Sequence, residues 1–158
     1  MIELFEALEA SAPASVLRTS FVLYPLVNAA HILALGLLVS TVLLMDLRVW
    51  GWGRAVPVEG WIGLLRPLAV GALGVTLLTG VALFSVQPFT YLENPAFLTK
   101  LALIGLGALN VIILRLNPRW GDVTGSETIA VSVRAAAFAS LLVWLGVVVA
   151  GRWIGFMQ

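Results

Sequence analysis

Residues 20–44 read SFVLYPLVNAAHILALGLLVSTVLL, without one Asp, Glu, Lys or Arg among them. A membrane-crossing helix needs roughly 20 mostly apolar residues, so this stretch is long enough to span a bilayer. Three more long apolar stretches follow, at about 60–86, 96–114 and 128–156, each with one or two basic residues. The breaks between them carry turn-forming residues: Trp50-Gly51-Trp52-Gly53 with Pro57, the segment from Pro88 to Pro95, and Asn117-Pro118 through Gly125. None of the four alternates as a strand would, and an open strand in lipid leaves its backbone groups unpaired. The pattern predicts an all-α protein, a four-transmembrane-helix bundle over 20–158 preceded by a separate segment, 1–19.

Composition agrees. The 158 residues are 61% hydrophobic and 11% charged, with a mean hydropathy of +1.05, whereas a soluble domain carries about 25% charge. Disorder is excluded by the same numbers. A net charge of +1 without a basic patch argues against a nucleic-acid partner. With no cysteine there is no disulfide, no thiolate metal site and no cysteine nucleophile. The expected partners are the lipid bilayer and either a second copy or another membrane subunit.

Trp50, Trp52, Trp61, Trp120 and Trp153 fall near span ends, where amphipathic rings favour the headgroup zone, while Trp144 lies inside a span. Arg48, Arg54 and Arg66 flank the first break and Arg115, Arg119 and Arg134 the third, against Arg18, Lys100 and Arg152 on the other side. The positive-inside rule then puts both termini outside. In residues 1–19, Ile2, Phe5 and Leu8 recur at helical spacing with Glu3, Glu6 and Glu9 between them, which predicts a short amphipathic helix ending at Ser11-Ala12-Pro13. It either lies on the membrane surface or covers the outer mouth of the bundle. Gly71, Gly74 and Gly80, Gly105 and Gly107, and Ala135, Ala136, Ala137 and Ala139 supply the small side chains that let membrane helices approach closely.

Polar groups within the spans are the informative ones, because they cost energy there. Tyr24, Asn28 and His31 are spaced four and then three apart, on one face of the first span, and His31 is the sole histidine. Its ring either stays neutral and bonds across helices, with Asn28 or Asn110 as partner, or binds a haem iron or a copper ion. Lys100 and Arg152 share the outer half with it, beside the loop that holds Gln87, Tyr91 and Glu93. Both cations either snorkel to the interface or form a rim for an anionic group such as haem propionates or a quinone-like head. At the inner side, pairing of Asp46 with Arg66 or Arg134 would neutralise a costly charge. No serine–histidine–acid set can be assembled.

The run Tyr24-Pro25-Leu26-Val27-Asn28-Ala29-Ala30-His31-Ile32-Leu33, then Asp46-Leu47-Arg48, resembles a family of small bacterial four-span proteins of uncharacterised activity. So do Tyr91-Leu92-Glu93-Asn94-Pro95-Ala96-Phe97 leading to Lys100, and Gly151-Arg152-Trp153-Ile154. More loosely, the placing of His31 and Lys100 is similar to membrane domains of the copper-resistance D type and of the haem-linked protoporphyrinogen oxidase family. The resemblance implies a multi-pass protein of the bacterial inner membrane with periplasmic termini. It also implies haem b, with copper as the alternative, on His31, in electron transfer or redox chemistry. Asn28 and Tyr24 would support the ligand, and Lys100 and Arg152 would hold propionates. The competing expectation is a non-enzymatic membrane subunit or small transporter whose polar stripe serves helix packing or a permeation path.

Overall fold

The computed structural model describes residues 2–53, 55–116 and 129–157, with seven helices among them. Trp120, Arg119, Arg54 and the third break lie outside the described residues. The four long helices are α3 (Leu23–Val49), α4 (Val58–Val86), α6 (Pro95–Leu116) and α7 (Val131–Ile154), and each is long and apolar enough to cross a bilayer. Leu33, Leu78 and Val131 are 74%, 75% and 83% exposed, large apolar side chains suited to a lipid surround. This is a multi-pass membrane protein built as an all-α bundle.

Three short helices complete it: α1 (Ile2–Glu9), α2 (Ala12–Thr19) and α5 (Pro88–Glu93). The sequence Ser11-Ala12-Pro13, expected only to stop a helix, also starts the next one. The Ser11 hydroxyl donates to the Leu8 carbonyl at 2.6 Å and accepts from the Ala14 N–H at 3.4 Å, and Pro13 sits in the first turn, where its missing N–H costs nothing. The α3–α4 turn needs two glycines, Gly51 at φ 97° and Gly53 at φ 67°, a region that other residues avoid. Trp61 folds over Gly53 and donates its indole N–H to the Leu44 carbonyl at 3.2 Å.

The long helices pack as a row, α4 on α3, α3 on α7 and α7 on α6. Its core is Leu38, Val39, Ala69, Ala72, Trp144 and Val147, with a second cluster of Val49, Val133 and Ala137 at the Asp46 end. The row leaves α4 and α6 without a seam along their length; they meet through the stacked Phe84 and Phe97 rings, 5.6 Å apart. Those rings belong to an aromatic cap at the end of the bundle where the chain starts. Phe5 of α1 adds edge contacts to Phe84 and Phe89 at 6.0 and 6.3 Å, so α1 docks on the bundle.

Only some of the small residues mark close approach. Gly71, Gly74 and Gly105 face open space, whereas a Cβ on Gly107 would lie 3.4 Å from Val143 Cγ1 and 3.6 Å from the Trp144 indole. That is room for a methyl and nothing larger. Gly107→Leu should therefore cost about 1–3 kcal/mol by overpacking, while Gly107→Ala stays neutral or gains from its better helix propensity. Reversible unfolding by sodium dodecyl sulfate in mixed micelles measures both.

Candidate functional site

His31 lies eight residues into α3, ~12 Å from its start at 1.5 Å per residue, and its ring is half-buried against α4. Nδ1 is 2.9 Å from Thr79 Oγ1. The Thr79 hydroxyl has one proton, and a 2.6 Å contact commits it to the Val75 carbonyl. Thr79 Oγ1 therefore accepts from His31 Nδ1–H, and the Thr76 backbone is a second hydrogen-bonding neighbour of the ring. In the neutral ring this places the lone pair on Nε2, and the side-chain hydrogen bond found for the ring among the described residues is the one at Nδ1. Gly80 makes the arrangement possible: a Cβ there would stand 3.3 Å from His31 Cε1.

Thr79 replaces the partners expected from sequence. Asn110 Nδ2 donates instead to the Ala136 carbonyl at 3.1 Å, tying α6 to α7. Asn28 is exposed; at about 100° per residue it stands some 60° around the helix from His31, beyond the edge of the α4 contact. Tyr24, seven residues before His31, does share its face, and is half-buried.

Lys100 reaches the same region from α6. Its stem crosses Gly151 of α7, where a Cβ would meet Nζ at 3.5 Å, and the ammonium is within electrostatic reach of the His31 ring. Arg152 does not join it. One residue further round α7, it is exposed, with its guanidinium 4.8 Å from the Phe156 ring centre. Tyr24 instead lines a cavity of about 290 Å³ with Arg18, Val86, Gln87 and Tyr91, beyond His31 toward the terminal end.

At the other end the expected ion pair is absent. Arg66 and Arg134 are exposed, and the one ion pair among the described residues joins Arg18 to Glu9. Asp46 is 9% exposed, has Ser140 of α7 as hydrogen-bonding neighbour, and leaves Oδ2 unpartnered. Arg48, also buried, donates to the Val56 carbonyl at 3.0 Å and closes the α3–α4 turn.

A family model matches residues 4–157, and thus all four spans. The chain belongs to DUF6644, a family of unknown function. No curated protein and no solved structure matches it. The DUF6644 match accords with an uncharacterised family and lends no support to the looser similarity to copper-resistance D-type or protoporphyrinogen oxidase domains. Nor do the described residues of this DUF6644 chain bring three His, Cys, Asp or Glu side chains together as a metal site. What they bring within electrostatic reach of each other is one oriented imidazole on α3 and one ammonium from α6. Sequence reasoning missed Thr79 and named Gly80 for close helix approach without linking it to His31; the adjacency Thr79-Gly80 in an apolar span was the available signal.

Proposed function

We propose that this protein is a haem b protein of the bacterial inner membrane, with both termini periplasmic and His31 as an axial ligand. The observation that carries the reading is the fixed imidazole: Nδ1–H held by Thr79 Oγ1 at 2.9 Å, which leaves the lone pair on Nε2. Metal-binding histidines characteristically donate their other ring N–H to such an acceptor, which sets tautomer and orientation. Donor chemistry separates the two metal options. A copper ion needs several soft or imidazole ligands, and one chain offers a single histidine and no cysteine. A haem iron needs only one or two protein bonds, because the macrocycle supplies the rest. The residues present fit that need.

When bound, haem would supply a one-electron redox centre. Thr79 would hold the ring against rotation, Gly80 would keep α4 close to it, and Lys100 would balance a propionate. Asn28 and Arg152, on exposed faces, are given no part.

The test is a visible spectrum with haem and metal analysis, on protein expressed with haem supplied and purified in detergent. A Soret band stoichiometric with chain, lost in His31→Ala while helicity and elution volume are kept, is the expected result. Thr79→Val should weaken haem affinity by about 10–100-fold, as loss of such an acceptor does in metal sites. No Soret band in the parent protein would overturn the reading. The His31–Thr79 bond would then be interhelical glue in a non-enzymatic membrane subunit or small transporter.

A further inference from the structure

The cavity beyond His31 has a lining of unusual chemistry for a bundle in lipid. Arg18 brings a guanidinium, Tyr24 and Tyr91 two phenols, and Gln87 a carboxamide; Val86 is the lone apolar member. Polar tips stand on a lining whose surface is mostly the apolar bodies of these side chains, and no carboxylate lines it. At about 290 Å³ it stands at the small end of ligand pockets, which run from roughly 300 Å³ upward, a size for one ring with a polar substituent.

Its cation is already engaged by a carboxylate, and that carboxylate belongs to the helix above. Arg18 Nη1 is 3.5 Å from Glu9 Oε1, and Nη2 donates to the Glu9 carbonyl at 2.8 Å. Both side chains remain open to water, 42% and 32% exposed. No residue of α1 is buried, and its described ring contacts are those of Phe5 with Phe84 and Phe89. So α1 is lightly fastened, and one of its fastenings is an ion pair on a cavity wall. A guanidinium prefers a carboxylate that meets its planar fork with two parallel bonds. Glu9 offers its side chain to one nitrogen only.

We propose that this cavity binds a small organic carboxylate, ring-bearing or lipid-borne, and that Glu9 is its built-in competitor, so that occupancy loosens α1. Competition of this kind is reciprocal. The factor by which a ligand loosens α1 equals the factor by which Glu9 weakens the ligand. None of this requires anything at His31.

Hydrogen exchange of the α1 amides, on the full chain in phosphatidylcholine nanodiscs, reads the release directly. Sodium benzoate probes a soluble acid, oleic acid in the disc a lipid-borne one, and benzamide the neutral isostere. Either acid should speed α1 exchange about 2–5-fold, the range opened by losing one exposed ion pair, and benzamide should not. Glu9→Gln should exchange at the faster rate without ligand and bind the active acid about 2–5-fold more tightly by calorimetry. Arg18→Gln, which also loses the bond to the Glu9 carbonyl, should exchange at least as fast as Glu9→Gln but bind neither acid, which separates a ligand site from a mere fastening. The proposal is overturned if neither acid alters α1 exchange and Glu9→Gln binds no more tightly than Arg18→Gln.

Discussion

Asn94→Ala is expected to lower the unfolding free energy by about 2–3 kcal/mol, the sum of a lost helix cap and a lost buried hydrogen bond. Asn94 is 4% exposed and serves two helices at once. Its Oδ1 accepts from the Ala96 and Phe97 N–H groups at 3.0 and 3.3 Å, capping α6 directly before Pro95, which has no N–H to satisfy. Its Nδ2 donates across to the Ile154 carbonyl at 3.3 Å, near the last turn of α7. Both jobs fall where α6, which lacks a seam with α4, needs a second anchor besides α7's face. The two contributions separate experimentally. Asn94→Ser keeps a capping oxygen and should recover about 1 kcal/mol, without the bond to Ile154. Detergent titration of the three proteins decides it; Asn94→Ala within about 0.5 kcal/mol of the parent, the scatter of neutral surface changes, would sink the argument. Because Lys100 follows one and a half turns later, its placement should suffer in the same variant.

What could be read in advance divides along a physical line. The spans and the Tyr24–His31 face were legible because hydrocarbon makes polarity expensive, and expense shows in a sequence as rarity. Thr79 was not, because a threonine hydroxyl satisfies itself on the carbonyl four residues back, here Val75 at 2.6 Å, and so looks cheap anywhere in a helix. Asn94 stood in a visible stretch, yet its role depends on the end of α7 arriving beside it, a fact of tertiary arrangement. The Asp46 pairing failed for a related reason. Arg66 and Arg134 have stems long enough to carry their charge outward along lipid-facing surfaces, so nearness to the acid in depth did not bring contact. Ser11-Ala12-Pro13 misled because the residues that stop one helix are those that begin another.

Asp46→Leu should raise stability, by about 1–4 kcal/mol, the gain seen when buried charged groups give way to packed apolar ones. The carboxyl is buried, no arginine among the described residues pairs with it, and one of its oxygens makes no hydrogen bond. Val49 one turn along α3 and Ala137 one turn before Ser140 on α7 already form an apolar cluster that a leucine would extend. Removing its neighbour does the opposite. Ser140→Ala strips the acid of that hydrogen-bonding group and should cost about 1–3 kcal/mol, yet cost almost nothing in the Asp46→Leu background. That non-additivity isolates the coupling of Asp46 to its hydrogen-bonding neighbour Ser140, since distant pairs would add. A destabilising Asp46→Leu, or a Ser140→Ala cost unchanged by it, would contradict this account. If the leucine protein is the more stable one, folding does not explain the acid. The acid would then be a stability cost near the C-terminal end of α3, and its Ser140 neighbour the group that reduces that cost.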